Sequence, residues 1–335
     1  MRNSLFNAGI IGTGSSLPDE VLTNAYFEKI VDTNDEWIRT RTGIQERRKT
    51  DAATATSDLS TQAALRALEN AGKKAEEIDL IVVATVTPDM AFPSTACIVQ
   101  KNIGAVNAAA FDIEAACSGF IYVIVVAENF IKSGYYKNIL VIGADTLTKI
   151  TDYTDRNTCI LFGDGAGAAI ISRVEDESGI LATHIGSDGV PGDLLTQPAG
   201  GSRQPASVKT VEEGLHYIKM EGGEVFKFAV KVMGEAAEKA LEKAGLNKGD
   251  IDYLIPHQAN IRIIDSAVRR LKISPDKVYI NIDKYGNMSS ASMAVALDEV
   301  NRKKILKDGD IVVLVGFGGG LTWGAIVLKW KNYRR

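Results

Sequence analysis

The amino-acid sequence predicts an α/β protein whose second half repeats the first. Residues 67–72, ALENAG, match residues 240–245, ALEKAG, at an offset of 173 positions (240 minus 67). At the same offset, the Ile-Asp pair at 78–79 matches the pair at 251–252, and Gly143 matches Gly316 at the end of an apolar run. Matches in the same structural role at one offset indicate an internal duplication. A chance resemblance between two helix–strand units is the alternative.

Strands and helices alternate along the chain. Hydrophobic periodicity predicts strands at residues 8–14, 78–85, 108–113, 138–143 and 167–172. It predicts helices at residues 57–71 and 94–102, a further helix after Cys117, and a short helix from residue 23 or 24 to about residue 32. This alternation favours mostly parallel sheets covered by helices. We divide the chain into residues 1–175 and 176–335, with the Gly-, Pro- and Ser-rich stretch 187–209 as a loop or join.

The composition is that of an ordinary soluble protein and excludes several classes of function. The chain has 335 residues, 45% hydrophobic and 24% charged, with a net charge of −4. This charge gives no bulk attraction to nucleic acid or to a membrane, and we expect neither a secretory signal nor a membrane span. The three cysteines fit no zinc motif. We therefore expect a reduced, cytoplasmic protein without a metal.

The stretch around Cys117 is the most informative part of the chain. A short apolar run at residues 108–113 leads into Cys117, and the residues that follow are apolar on nearly all sides. This pattern predicts a buried helix with Cys117 at its amino end. Free N–H groups and the helix dipole at that end favour a thiolate, so we expect a lowered thiol pKa and a nucleophilic sulfur. Cys97 and Cys159 are better interpreted as inert buried residues.

The duplication predicts which other residues lie near Cys117. At the offset of 173, Cys117 corresponds to Ser290, so residues 285–294 open the twin of the Cys117 helix. His257 follows a predicted strand, Asn287 precedes the twin helix, and a Gly triplet at 318–320 follows another strand. Sites in α/β sheets gather beyond the carboxyl ends of strands, so these features belong together. Singly, each is more often structural. A nucleotide-binding loop at residues 9–14 is a weak alternative, because no helix start follows it.

Several motifs together resemble one known family. They are EAACSGF at 114–120, PHQAN at 256–260, YGNMSSAS at 285–292 and GFGGGLTWG at 316–324, with DEWI at 35–38, TRTGI at 40–44 and FGDGAGA at 162–168. The chain resembles the thiolase-fold condensing enzymes, and most closely the β-ketoacyl-[acyl carrier protein] synthase III family, which initiates fatty-acid synthesis. The family more often has Thr at the position of Met288. The resemblance implies a duplicated, five-layer α-β-α-β-α thiolase-like fold.

The resemblance also implies a mechanism and its residues. Cys117 would take a short acyl group from acyl-CoA, and malonyl-[acyl carrier protein] would then lose CO₂ and attack the acyl-cysteine. The backbone N–H groups of Cys117 and Gly319 would form an oxyanion hole. His257 and Asn287 would hold the malonyl thioester oxygen. No cofactor is implied, because the CoA thioester is a substrate.

Substrate-binding residues follow from the same resemblance. Trp37 and Arg156 would sandwich the CoA adenine, and Arg41 would contact a CoA phosphate. Phe92 would reach the acyl pocket of a second subunit, which implies a homodimer. The basic patch for the acidic carrier protein is implied to consist of Lys227, Arg262, Arg269 and Arg270. A cluster of surface charge is equally consistent with a merely solvated face.

Three rival functions remain at this stage. A condensing enzyme of secondary metabolism would use the same Cys-His-Asn triad, and a non-catalytic acyl-CoA-binding protein would keep the fold. A hydroxymethylglutaryl-CoA-type synthase would need an additional catalytic Glu that the sequence does not place. The preferred acyl primer does not follow from the sequence, because primers differ by only a few pocket side chains.

Overall fold

Two mixed sheets form the framework of the protein. The computed structural model describes residues 6–333. The strands are β1 Asn7–Ser16, β2 Glu20–Thr23, β3 Glu46–Lys49, β4 Leu80–Ala84, β5 Ala109–Ile113, β6 Asn138–Thr146, β7 Asp164–Val174, β8 Gly179–Ser187, β9 Leu195–Thr196, β10 Lys219–Met220, β11 Tyr253–Pro256, β12 Ile311–Gly318 and β13 Thr322–Lys329. The first sheet has the order β1-β7-β6-β4-β5 and the second β8-β13-β12-β11, while β2-β3 and β9-β10 form two small ribbons.

Helices cover both sheets and fill the space between them. The α-helices are α1 Asn24–Phe27, α2 Asp35–Thr42, α3 Thr56–Ala71, α4 Thr95–Ile103, α5 Gly119–Lys132, α6 Val208–Glu212, α7 Gly222–Ala244, α8 Ile261–Leu271, α9 Ile282–Tyr285 and α10 Ala291–Arg302. Helices α3 and α4 pack on the outer face of the first sheet, and α7 packs on the second sheet with α8 beside it. Helices α5 and α10 contact each other and strands of both sheets. The result is the expected α-β-α-β-α arrangement of five layers.

Both sheets follow the same plan, as a duplication requires. In the first sheet, the edge strand β1 pairs antiparallel with β7, which pairs antiparallel with β6. In the second sheet, the edge strand β8 pairs antiparallel with β13, which pairs antiparallel with β12. The next strand, β4 or β11, is parallel. The prediction of mostly parallel sheets was therefore wrong: the hairpin-like strands after β6 and β12 return antiparallel. In sequence, the first sheet ends with Val174 and the second begins with Gly179. Ser187 ends β8, and the rest of residues 187–209 follows that strand within the C-terminal half and contains β9 and the start of α6.

The hydrophobic pattern predicted the buried central helix correctly. Phe120, Ile121 and Ile124 of α5 are completely buried, in a core that they share with Met293 and Leu297 of α10. Two further cores lie beneath α3 and α4 and beneath α7 and α8. Burial of this much apolar surface is the main stabilising term. Within residues 6–333, no helix combines the length and apolarity needed to cross a bilayer.

Some local predictions changed in detail. Helix α3 ends where Gly72 adopts the left-handed conformation with a φ of 64°, as expected of a glycine stop. The short helix α1 ends at Phe27, earlier than predicted, and the charged segment 35–43 contains helix α2, capped by Asn34. The glycines at 9–14 lie within strand β1 and form no loop, which excludes the nucleotide-binding interpretation.

Candidate active site

Cys117 lies in a tight turn that connects strand β5 to helix α5. The 3₁₀ turn Ala116–Ser118 precedes the helix, and Ala116 has a φ of 43°, which is uncommon for a residue with a side chain. The Ser118 hydroxyl lies 2.8 Å from Ala115 O and 2.7 Å from the Thr322 hydroxyl. Because Thr322 begins β13, the second half of the chain braces the turn that presents the cysteine.

The prediction of a lowered thiol pKa was wrong. Burial raises the pKa of the Cys117 thiol to about 12. The hydroxyl of Ser289 and the cysteine's own backbone N–H act in the opposite direction, while the carboxylates of Asp145 and Glu114 raise the pKa further. Desolvation of the thiolate therefore outweighs the favourable field of the helix end. The Cys117 residue is only 9% exposed and forms no disulfide.

The residue beside the Cys117 N–H group differs between the two halves of the chain. Asp145 at the end of β6 accepts hydrogen bonds from the backbone N–H and hydroxyl of Ser290, at 3.1 and 2.7 Å. At the offset of 173, Ser290 corresponds to Cys117 and Asp145 corresponds to Gly318. A Cβ atom on Gly318 would lie 2.5 Å from Cys117 N. Glycine thus keeps free the space above the N–H group that an aspartate occupies in the other half.

His257 carries a neutral, fully buried imidazole. Its backbone N–H donates to Val315 O at 2.8 Å, and its ring packs edge-to-face on Phe317 with centroids 5.8 Å apart. The side chain is fully buried, and neither ring nitrogen has a hydrogen-bond partner within residues 6–333. Burial lowers the pKa of His257 to about 3. A neutral imidazole has one N–H donor and one acceptor nitrogen, and both remain available.

Asn287 is fixed on three sides. Its backbone N–H donates to Leu161 O at 2.9 Å, and its carbonyl accepts from the N–H of Gly163 at 3.0 Å. The carboxamide oxygen accepts from the N–H of Ser289 at 2.8 Å. Because the oxygen is engaged, the NH₂ end of the amide is directed the other way and can donate to a ligand.

A cavity of about 800 Å³ opens onto Cys117. Its lining includes Cys117, Ser289, Gly319 and the apolar side chains of Leu147 and Phe162. Neither His257 nor Asn287 is among the described residues of this lining. They are connected to it through their neighbours: His257 through strand β12, whose Gly318 abuts Cys117 N, and Asn287 through Ser289. The arrangement suits an acyl chain on the sulfur, with polar donors behind it.

The expected CoA-binding side chains are close together but are not arranged as an open sandwich. The Arg156 guanidinium lies 4.9 Å from the centroid of the Trp37 ring, and it also approaches the exposed carboxylate of Asp32 at 3.4 Å. A planar ring would therefore have to part the two side chains in order to enter between them. Arg41 is exposed in the last turn of α2. Its carbonyl oxygen accepts from Asn260 at 3.0 Å, which joins α2 to the start of α8.

An exposed apolar edge lies beside the cavity. Strand β5 is the last strand of the first sheet, and Phe111 in it is 37% exposed. Phe92 is 84% exposed and Met90, which lines the cavity, is 50% exposed. Large apolar side chains that are this exposed, next to a free strand edge, are typical of a surface that another protein covers.

The predicted basic patch divides into two parts. Arg262 and Arg269, seven residues apart on α8, line one groove of about 380 Å³ together with Phe226, and the Arg262 guanidinium lies 5.1 Å from the Phe226 ring centroid. Lys227 follows Phe226 on α7 and forms an ion pair with Glu224 at 2.7 Å.

Arg270 belongs to the other part, because two carboxylates of α7 hold its guanidinium. It forms ion pairs with Glu238 at 2.9 Å and Glu235 at 3.5 Å, both on α7. These pairs tie α8 to α7. Arg270 is also absent from the described lining of the groove that contains Arg262. The geometry therefore separates Arg270 from the rest of the proposed patch.

Comparisons with known proteins show the family of the chain. Family models described as 3-oxoacyl-[acyl-carrier-protein (ACP)] synthase III and its C-terminal part match residues 111–189 and 241–330. A protein of Caldanaerobacter subterraneus named β-ketoacyl-[acyl-carrier-protein] synthase III is 63% identical over 97% of this chain and 98% of its own length. A protein of the same name from Clostridioides difficile is 62% identical, over 96% and 98%. The chain belongs to the β-ketoacyl-[acyl-carrier-protein] synthase III family. The crystal structure of the Aquifex aeolicus 3-oxoacyl-[acyl-carrier-protein] synthase III, 49% identical, superimposes with a TM-score of 0.89 over 96% of this chain and 100% of that one.

Sequence reasoning missed several residues that shape the site of this synthase III chain. Asp145 holds the twin turn, Thr322 braces the Cys117 turn, and Ser289 lies between Cys117 and Asn287. The fully buried Arg47 donates to the carbonyl of Ile160, next to the segment that holds Asn287. Only Ser289 and Asp145 could have been found from the sequence, because the offset of 173 pairs them with Ala116 and Gly318.

Proposed function

We propose that this protein condenses a short-chain acyl-CoA with malonyl-[acyl carrier protein], with loss of CO₂, to form 3-oxoacyl-[acyl carrier protein] and CoA. This reaction initiates type II fatty-acid synthesis. The proposal follows from membership of the synthase III family. The observation that carries it is the buried Cys117 in a largely apolar cavity, where the absence of a side chain on Gly318 leaves space beside the Cys117 N–H group.

In the first half-reaction Cys117 is the nucleophile. Its sulfur attacks the thioester carbon of acyl-CoA, and negative charge develops on the thioester oxygen. The backbone N–H groups of Cys117 and Gly319 would stabilise this oxyanion, as preorganised donors do in acyl transfer. The lack of a side chain on Gly318 supports this role, because any Cβ there would fill the position of the oxygen. The apolar lining then receives the acyl chain.

In the second half-reaction His257 and Asn287 act on the malonyl group. Loss of CO₂ leaves an enolate, whose oxygen would accept hydrogen bonds from one N–H of His257 and from the amide of Asn287. A protonated histidine is not required. Burial lowers the pKa of His257 to about 3, so the neutral ring donates at any physiological pH without adding a buried charge. The enolate carbon then attacks the acyl-cysteine and releases the product.

The surfaces around the cavity suit the two substrates. Trp37, Arg156 and Arg41 would bind the CoA nucleotide after the contact between Trp37 and Arg156 opens. Arg262, Arg269 and Lys227 would bind the acidic carrier protein, because charge complementarity steers such encounters. We leave Arg270 out of this surface because two carboxylates of α7 hold its guanidinium, whereas Lys227 has a single, exposed ion pair with Glu224.

We also propose a homodimer and a cytoplasmic location. The free edge of β5 and the exposed rings of Phe92 and Phe111 support pairing with a second copy, whose Phe92 would complete the wall of the acyl cavity. A reducing compartment is consistent with three free cysteines.

Two variants test the catalytic division of labour. We expect Cys117→Ala to lose acyl transfer from radioactive acetyl-CoA while it still decarboxylates malonyl-[acyl carrier protein]. We expect His257→Ala to keep the covalent acetyl group and lose decarboxylation by about a hundredfold or more, because one oxyanion donor is removed. Equal loss of decarboxylation in both variants would contradict this division. Wild-type protein that binds acetyl-CoA but retains no covalent acetyl group would instead be a non-catalytic binder.

A further inference from the structure

Ser289 combines an uncommon backbone conformation with a buried hydroxyl group that forms no regular hydrogen bond. The residue has a φ of 48°, a conformation in which a side chain is uncommon. It is only 2% exposed, yet it lines the cavity that contains Cys117. Its hydroxyl has no hydrogen-bond partner of regular geometry within residues 6–333, although it lies near both the Cys117 sulfur and the Asp145 carboxylate. Buried hydroxyl groups are normally satisfied, so an unsatisfied one in the lining of a cavity can accept a partner that forms during the reaction.

Ser289 is close to two members of the catalytic triad at once. Its hydroxyl faces the Cys117 sulfur and counteracts the rise in the pKa of the thiol that burial causes. Its backbone N–H donates to the carboxamide oxygen of Asn287 at 2.8 Å. The side chain of Ser289 therefore lies near the residue proposed for acyl transfer, Cys117, and its main chain binds a residue proposed for decarboxylation, Asn287.

The twin turn shows that the fold does not need this hydroxyl. At the offset of 173, Ser289 corresponds to Ala116, which has nearly the same φ, 43°. An alanine therefore suffices to form this turn in the first half of the chain. At this position of the turn, the second half adds a hydroxyl group that lies near the nucleophile.

We propose that Ser289 is a catalytic residue of acyl transfer, whose hydroxyl donates a hydrogen bond to the Cys117 sulfur as the thiolate forms and attacks. This inference rests on the proposed function. In the step, the sulfur–acyl carbon bond forms and the carbon–sulfur bond to CoA breaks. The proton that leaves Cys117 is balanced by the proton taken up by the departing CoA thiolate. A charge-assisted hydrogen bond strengthens as the sulfur becomes anionic, so it lowers the barrier to attack.

Few groups around the sulfur favour the thiolate. Asp145 on β6 and Glu114 before the turn both disfavour a thiolate, and His257 is neutral. The cysteine's own N–H and the Ser289 hydroxyl are the two groups that favour the anion. Removal of the hydroxyl leaves the backbone N–H that holds Asn287 in place.

The test is alkylation of Cys117 by iodoacetamide, which needs no substrate and so remains informative even if the acyl donor is wrongly assigned. Cys117 labelling is followed by mass spectrometry of its peptide, separately from Cys97 and Cys159, between pH 6 and 9. We expect Ser289→Ala and Ser289→Gly each to alkylate about tenfold more slowly than wild type throughout this range, as loss of one charge-assisted hydrogen bond predicts. Acetyl transfer from acetyl-CoA should slow similarly, and decarboxylation of malonyl-[acyl carrier protein] should stay within about threefold.

A matched control separates this role from a structural one. Ser292, three residues further on, is fully buried, and its hydroxyl accepts from the N–H of Met288 at 2.9 Å. We expect Ser292→Ala to lower thermal stability and leave alkylation of Cys117 unchanged. Three results would overturn the proposal: wild-type alkylation in both Ser289 variants, normal alkylation in Ser289→Gly alone, which would indicate backbone strain, or equal losses of decarboxylation and acyl transfer.

Discussion

Gly318 offers the sharpest test of the oxyanion hole, because a single methyl group would enter it. A Cβ on this residue would lie 2.5 Å from Cys117 N and 3.0 Å from Ser118 N. The clash is with backbone atoms, which cannot rotate away as a flexible side chain could. Gly318 belongs to strand β12 and is not among the glycines with positive φ, so alanine is compatible with its backbone conformation. Gly318→Ala therefore acts at the turn Ala116–Ser118, where its Cβ would contact the backbone nitrogens.

We expect Gly318→Ala to slow acetyl transfer by a factor of ~10² to ~10³, equivalent to about 3 kcal/mol, which is the usual effect of losing one oxyanion donor. Overpacking should lower the free energy of unfolding by ~1–3 kcal/mol. The assay is single-turnover acetylation of Cys117 beside a thermal melt, and malonyl decarboxylation serves as an internal reference that should be retained. Gly249→Ala is the control, because a Cβ there meets no heavy atom within 4 Å. A folded Gly318→Ala protein that acetylates within threefold of wild type would refute the reasoning.

Two further predictions concern the docking surface and the pH dependence of stability. Arg262→Glu should weaken carrier-protein binding about tenfold at low salt and less at high salt, whereas Arg270→Glu should lower the melting temperature and leave this affinity unchanged. Calorimetric titration at two salt concentrations measures both affinities, and equal weakening by the two variants would disprove the separation. For His257, the folded pKa of about 3 lies below the ordinary 6.5, so between these values the unfolded chain binds a proton that the folded chain does not. This contribution to stability is fully present above pH 6.5 and is lost as the pH falls towards 3, by at most ~1.4 kcal/mol per unit. Urea unfolding of His257→Gln should therefore show a smaller decline over this range than wild type, and parallel curves would contradict the prediction.

The sequence was sufficient for the parts of the fold that follow from local pattern. The apolar stretch after Cys117 predicted a buried helix, and α5 is such a helix. The offset of 173 predicted that Ser290 opens a twin helix, which begins at Ala291. Strand direction could not be derived, because an alternating strand–helix pattern is compatible with the antiparallel return of β7 and β13. Hydrophobic periodicity indicates where a strand lies, but it does not indicate whether that strand pairs parallel or antiparallel with its neighbour.

The electrostatics of the site were the least accessible to sequence reasoning. A cysteine at a helix start suggests an acidic thiol, but the effect of burial depends on neighbours that fold in from distant positions. Asp145 is 28 positions from Cys117 (145 minus 117), and Ser289 comes from the other half of the chain. The stacking of Arg156 on Trp37 is likewise a rotamer-level contact between remote segments. The residue types were foreseeable, whereas their mutual distances were not.

The middle layer of the fold, formed by α5 and α10, affects how the chain folds. Helix α5 lies on strands β8, β12 and β13 as well as on its own sheet, so one flank of its apolar surface has no cover until the later strands exist. During translation, the N-terminal half must wait with this surface exposed while more than a hundred residues are added. Contacts so distant in sequence form slowly, and the waiting intermediate is prone to aggregate. A fragment that ends before β12 lacks Gly318 and Gly319, so the complete set of groups around Cys117 exists only after this strand has been synthesised.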